Sequence, residues 1–154
     1  MNLNGTYRFD GPRATVWNLL QDPDVLAKAL PGAKRLTQTA DGRYEGTMNV
    51  SVGPVTAAEF AIVVTLADRV APERYTMKID GTGGVGFARG MANVELDEQD
   101  GGTLMRYSSD VHVGGRIAAV GQRLIDSVAK MMMRQALEAL NRELRARLDA
   151  GAGR

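Results

Sequence analysis

RIAAVGQRLIDSVAKMMMRQALEALNRELRARL, Arg116–Leu148, keeps apolar side chains at helical spacing and contains no proline, so it reads as one helix of about nine turns at 3.6 residues per turn. The residues before it, from Arg35 to Val113, alternate in polarity with period two. One long amphipathic helix following a run of antiparallel strands buries its stripe by lying across one sheet face. A curved sheet closed in this way is a container. With Ile117 as origin, Val120, Leu124, Val128 and Met131 fall within about 60° of it, a stripe suited to a lid. Leu137, Leu140, Leu144 and Leu148 cluster about 180° away. A straight helix cannot aim both stripes at one core. Either it bends near Arg134, or its last turns bury their leucines against the chain's own small helices, a second copy, or a bilayer surface. Four Arg against two Glu between Arg134 and Leu148 make this tail mildly basic, which suits anionic lipid as well as solvent.

The strands are set off by turn residues at Asp41-Gly42, Gly53-Pro54, Ala71-Pro72, Gly81 to Gly84 and Asp100-Gly101-Gly102, giving about six strands in a meander after a first strand over residues 2–9. Parity gives each strand an inner set. These are Leu3, Gly5, Tyr7 and Phe9; Tyr44, Gly46, Met48, Val50 and Val52; Phe60, Ile62, Val64 and Leu66. The later sets are Tyr75, Met77 and Ile79; Ala88, Gly90, Ala92, Val94 and Leu96; and Met105, Tyr107, Ser109, Val111 and Val113. Between the first two strands, Pro12 opens one short helix, Asp22-Pro23 caps and opens another, and Pro31-Gly32 stops it. The expected fold is therefore α+β: a curved antiparallel sheet of about seven strands, two short helices after the first, and a long C-terminal helix enclosing an apolar cavity.

Composition narrows the function. The 154 residues fit one domain, 1–154, with one core. Nineteen Lys and Arg balance eighteen Asp and Glu, so no overall field favours nucleic acid. The chain has no Cys, which removes disulfides and thiolate ligands. Its first residues show no basic, apolar leader, and no stretch approaches the roughly 20 apolar residues of a membrane span. The expected place is the cytoplasm, with any membrane contact peripheral.

Catalytic groups are scarce. His112 is the single histidine and its parity sends it outward, as does that of Glu59 and Asp80, so no triad can converge inside and no metal site is expected. Gly81-Thr82-Gly83-Gly84-Val85-Gly86 matches G-x-G-x-x-G literally. However, residues 87–97 continue as a strand, whereas a dinucleotide site needs a helix N-terminus there. The glycines read as a hairpin beside a shallow wall made by Gly90 and Ala92. Eight methionines, with Met48, Met77, Met105, Met131 and Met132 on inner faces, suit an irregular apolar surface. Tyr44, Tyr107, Ser109 and Gln135 could hydrogen-bond a polar head.

Several stretches, in this order and spacing, carry a resemblance. They are Tyr7-Arg8, Pro12-Arg13, Val16-Trp17, Asp22-Pro23 with Leu26, Leu30-Pro31-Gly32, Val52-Gly53-Pro54-Val55, Tyr75, Gly83-Gly84 and Gly86-Phe87-Ala88-Arg89-Gly90. Gly101-Gly102-Thr103-Leu104, Val113 to Ala118 and Gly121 to Asp126 complete the series. The sequence resembles the carbon monoxide dehydrogenase G-subunit family of the START and polyketide-cyclase-like (SRPBCC) helix-grip superfamily, up to about Met133. The resemblance implies a non-catalytic accessory of a molybdenum hydroxylase such as aerobic carbon monoxide dehydrogenase. Such an accessory recruits the enzyme to the inner face of the cell membrane and holds a quinone or isoprenoid lipid, with no covalent cofactor. Here Ala29 and Ala33 stand where relatives often carry cysteines, and the sequence ends at Arg154 short of the hydrophobic tail of some relatives, so stable anchoring is not expected. The expected cavity wall is Met48, Phe60, Ile62, Met77, Ile79, Ala92, Tyr107, Val111, Leu124, Val128 and Met132, with Phe87 and Arg89 at the rim and Arg89 open to an acidic partner. Two other readings remain: an assembly factor with a filled interior, and a cyclase or hydrolase of the same superfamily. Self-association through the C-terminal helix also stays open.

Overall fold

The structure, a computed structural model, describes residues 1–152. Seven strands, β1 (Asn2–Phe9), β2 (Ala33–Ala40), β3 (Arg43–Val52), β4 (Val55–Val70), β5 (Arg74–Gly83), β6 (Gly86–Gln99) and β7 (Gly102–Gly114), form one antiparallel sheet. Their order is β1-β7-β6-β5-β4-β3-β2. Two short helices, α1 (Arg13–Leu19) and α2 (Pro23–Ala29), carry the chain from one edge strand to the other. Asp22 caps α2 by accepting from the Asp24 amide at 3.0 Å, with Pro23 in the first turn. A long helix, α3 (Gln122–Ala152), lies against the inner face. The α+β architecture, the strand count and the inward parity of the strands are as the sequence implies.

Curvature comes from close backbone approach. At Gly46 a Cβ would sit 1.7 Å from the Arg35 carbonyl oxygen, so any larger residue would push β2 off β3 where their register shifts between Ala33 and Arg35. Such bulges coil a sheet. The β5–β6 turn is tighter and later than the expected Gly81 to Gly84: Gly83 still pairs with Gly86, so Gly81 lies inside β5 and faces the interior.

The expected helix from Arg116 is two pieces. Arg116–Val120 form a 3₁₀ helix that ends at Gly121, whose φ of 103° only glycine adopts readily, and α3 starts after it. Ile117 is therefore not the origin of the α3 azimuths, and the paradox of opposed stripes dissolves. The inward row instead begins at Ile125 and passes through Ala129, Met133, Leu137, Leu140 and Leu144. A row spaced mostly by four residues drifts about 40° at each such step. The row consequently starts over the sheet and ends over α1, α2 and β1, and α3 runs unbroken through Arg134. Leu137, Leu140 and Leu144 are buried and Leu148 half-buried, with Leu144 and Leu148 closing on Gly11. The leucines that a second copy or a bilayer would need are thus covered by the chain itself. Met131, expected inward, is 42% exposed because the corrected phase turns it to solvent.

Polar pegs fix this end. Asn141 receives the Asp10 amide at 3.1 Å and donates to the Asp10 carboxylate at 2.9 Å, and Arg145 Nε donates to the same oxygen at 2.9 Å. Arg147 pairs with Asp22, and Lys28 with Glu143 at 3.7 Å. Thr103, fully buried, donates to the Gly11 carbonyl at 2.8 Å and holds the β1–α1 link.

Leu144→Ala is expected to lower stability by about 2–5 kcal/mol in urea unfolding, since the site cannot collapse around a fully buried leucine. Hydrogen bonds from Asn141 and then Arg145 hold the Asp10 carboxyl below its ordinary value. A depressed folded value stabilises fully above the unfolded value, about 3.9, and that contribution is lost as pH falls through the lower folded value. Asp10→Asn should therefore flatten the fall in stability below about pH 4; an unchanged acid limb would assign it to other carboxylates.

Candidate functional site: an apolar cleft between sheet and helix

The interior has two unlike ends. Around α1, α2 and the second half of α3 the inner side chains are sealed: Phe9, Val16, Leu19, Tyr44, Val64, Leu96 and Leu144 are each at most 2% exposed. Towards the β3–β4 and β5–β6 hairpin tips the same inner faces stay open. Met48, Val50, Met77, Ile79, Val111 and Val113 on the sheet, and Leu124, Val128, Met132 and Met133 on α3, are only half-buried although they face one another across the fold. These half-buried apolar side chains mark the candidate cleft, in place of the enclosed cavity expected from sequence.

The floor is shallow in the middle. Gly81 pairs with Ala88, Ile79 with Gly90, and Met77 with Ala92, so β5 and β6 present small residues side by side. At Gly90 an added Cβ would meet just two atoms within 4 Å, Val111 Cγ2 at 3.5 Å and the Asp110 oxygen at 3.7 Å, both on β7. No atom of α3 lies within 4 Å of that Cβ position. Gly90 is not dictated by backbone strain either, because its φ is not positive. What its missing side chain provides is room.

The mouth is pinned by the hairpin tips. Arg116 donates to the Gly84 carbonyl at 2.7 Å, the Ile117 amide to the Val85 carbonyl at 2.7 Å, and the Leu124 side chain rests on Gly53. Of the expected wall, Phe60, Ile62 and Ala92 are buried, while Met48, Met77, Ile79, Tyr107, Val111, Leu124, Val128 and Met132 are half-buried. Nine of the eleven are buried or pack on the buried core. Val111 and Met132 stand clear of the buried core, whereas Leu124 and Val128 pack on it. Phe87 and Arg89 lie on the outer face beside the β5–β6 tip. There the Arg89 guanidinium sits 4.8 Å from the Phe87 ring centroid, and Asp80 lies 3.8 Å away. Arg89 thus already has an acidic neighbour. That outer face also carries a polar concavity of about 530 Å³, with Lys78, Asp80, Arg89, Met91 and His112 around it.

Few polar groups face the cleft. Tyr44 donates to the Gln21 carbonyl at 2.6 Å and Ser109 to the Leu3 carbonyl at 2.6 Å, so both are occupied. Gln135 is exposed. Tyr107 is half-buried with its hydroxyl over Gly5. His112 is on the outer face, 3.0 Å from Asp110. Tyr75 and Ile125 join the interior without belonging to the expected wall. Tyr75, 6% exposed, packs edge-to-face on Trp17 with centroids 5.6 Å apart, and burial pushes its phenol up, so it stays protonated. Its inward parity is readable from sequence; its free hydroxyl is not. Ile125 is hidden by a helix phase counted from Ile117.

Gly90→Leu is expected to abolish uptake of a hydrophobic dye while leaving the unfolding midpoint within about 1 kcal/mol of the parent, since the side chain enters space rather than a packed core. Met132→Arg should likewise abolish uptake and leave the sheet folded by circular dichroism. Unchanged uptake in both would show that this face does not line a binding site.

The comparisons agree with this architecture. A sequence profile for the carbon monoxide dehydrogenase G-subunit (CoxG) matches residues 5–145. None of the curated proteins compared with the chain matches it. A conserved protein from Geobacillus kaustophilus superposes with a TM-score of 0.89 at 27% identity, over 95% of this chain and 96% of that one. A START superfamily protein from Mycobacterium smegmatis gives 0.69 at 12% identity, over 94% and 97%. One similar fold, at 0.60 and 13% identity over 92% of this chain and 48% of the other, is the di-domain ARO/CYC BexL from the BE-7585A biosynthetic pathway. At those two lower identities the likeness is one of fold alone.

Proposed function

The chain belongs to the CoxG family of carbon monoxide dehydrogenase proteins, and from that premise we propose that it is a non-catalytic carrier of a quinone or similar isoprenoid lipid, serving a molybdenum hydroxylase such as aerobic carbon monoxide dehydrogenase. In this reading it takes the lipid at the inner face of the cell membrane, brings the enzyme there, and presents the ring as electron acceptor. No covalent cofactor is involved; the quinone is cargo. What supports the reading is the room at Gly90, where an added Cβ would meet only β7 atoms within 4 Å, together with half-buried Met77, Ile79, Val111 and Met132 on the inward-facing positions of β5, β7 and α3.

Energetics suit a carrier. Removing a five-carbon isoprenoid unit from water gains about 3–4 kcal/mol at ~0.8 kcal/mol per methylene, but a bilayer already supplies that gain. Transfer from lipid to protein is therefore near break-even, decided by a few head-group hydrogen bonds of about 1 kcal/mol each. An apolar cleft with one or two free donors fits such an exchange and releases its cargo readily. No helix among the described residues is long and apolar enough to cross a membrane, which fits transient contact with lipid. Hydrolase or cyclase chemistry finds less support, because Glu98, a carboxylate in phase with the inner strand faces, is exposed at the end of β6, and no imidazole joins it there among the described residues.

Native mass spectrometry of protein purified from its own host, followed by lipid extraction, is expected to release a quinone in about equimolar amount. Absence of lipid, together with no uptake of added quinone from liposomes, would leave a purely assembly-related role.

A further inference from the structure

Tyr75 is a buried phenol with no hydrogen-bond partner among the described residues, although a buried polar group without one is costly and rarely retained. Its oxygen is not among the unpartnered side-chain atoms fully closed off from solvent, which are Arg13 Nε and Asn49 Oδ1. The other hydroxyls of the interior differ: those of Tyr44 and Ser109 are committed to backbone carbonyls, and that of Tyr107 lies near the β1 edge over Gly5, in reach of solvent. Of the tyrosines, Tyr44 and Tyr75 are the buried ones, and Tyr75 is the one of the two whose hydroxyl has no acceptor among the described residues.

We infer that Tyr75 is the head-group contact of the cleft, donating to a carbonyl oxygen of a ring that enters first, while the tail runs out to the β3–β4 and β5–β6 tips. This rests on the lipid-carrier reading above. Orientation follows from the packing: beyond Tyr75 the interior is closed by Trp17 and the leucines of α3, whereas Met77, Ile79 and Gly81 lead from it along β5 towards the mouth. Six residues of strand separate Tyr75 from Gly81, about 20 Å of floor at 3.3–3.4 Å per residue. A protonated phenol is a donor, so the position selects ligands that present an acceptor at the leading end.

Tyr75→Phe removes the oxygen and keeps the ring on Trp17. Equilibrium uptake from liposomes is compared for ubiquinone-2 and for pristane, an isoprenoid hydrocarbon without oxygen, in the parent, Tyr75→Phe and Tyr107→Phe proteins. The expected result is an about three- to tenfold loss of quinone affinity in Tyr75→Phe, pristane unchanged, and a smaller loss in Tyr107→Phe than in Tyr75→Phe. The infrared carbonyl band of bound quinone should be lowered in the parent and return towards its lipid position in Tyr75→Phe. Without ligand, the melting temperature of Tyr75→Phe should equal or exceed that of the parent, because no bond is lost. Equal quinone affinity in Tyr75→Phe, or loss in Tyr107→Phe instead, overturns the head-group assignment and leaves the carrier reading intact. Failure of the parent to take up either compound overturns both.

Discussion

The drift of one row of side chains around α3 is the constraint on which the rest of the structure depends. A row repeating every four residues cannot face one surface for its whole length, because four residues turn the helix by about 40° more than a full circle. Here Ile125 begins over the sheet, and Leu137, Leu140 and Leu144 end against α1, α2 and β1. The second half of the helix thereby packs against three elements. The first half contacts the 3₁₀ helix and β3, opposite the small residues of β5 and β6. The packed end supplies the stability, and the loose end holds the space.

The polar contacts follow the same division. Asp10, Asn141 and Arg145, with Asp22 and Arg147, all tie the second half of α3 to the segment that leaves β1. Most of these groups are partly exposed, so their value lies in register more than in energy. Asn141 is the buried exception, and its carbonyl and amide both find Asp10. At the other end the polar contacts with the hairpin tips are two backbone-directed hydrogen bonds, beside the apolar packing of Ile117, Leu124, Ile125 and Val128.

Much of this is legible in the residues. Period-two alternation orients six of the seven strands, all but β2, whose residues are mostly exposed, and Asp41-Gly42, Gly53-Pro54 and Asp100-Gly101 mark their turns by conformational need. The failures are local. Gly121 breaks the helix and resets its phase, which misplaces Met131 and conceals Ile125. Gly81 to Gly84 looks like a turn because glycine clusters usually are, yet Gly81 and Gly83 are strand residues. For the site, parity finds the walls, but a one-dimensional pattern holds no record of which hydroxyls have acceptors. Tyr44 and Tyr75 are alike in sequence and opposite in the fold, because the Gln21 carbonyl reaches only the first.

The tip contacts at the mouth set how entry relates to folding. Parting Arg116 from Gly84, Ile117 from Val85 and Leu124 from Gly53 disturbs none of the leucines that seal the far end. In the carrier reading proposed above, these tip contacts are the ones a guest would part, and they stand apart from the leucines of the far end. Evolution could adjust how fast a guest comes and goes at these few latch residues, and leave thermal tolerance of the whole molecule untouched.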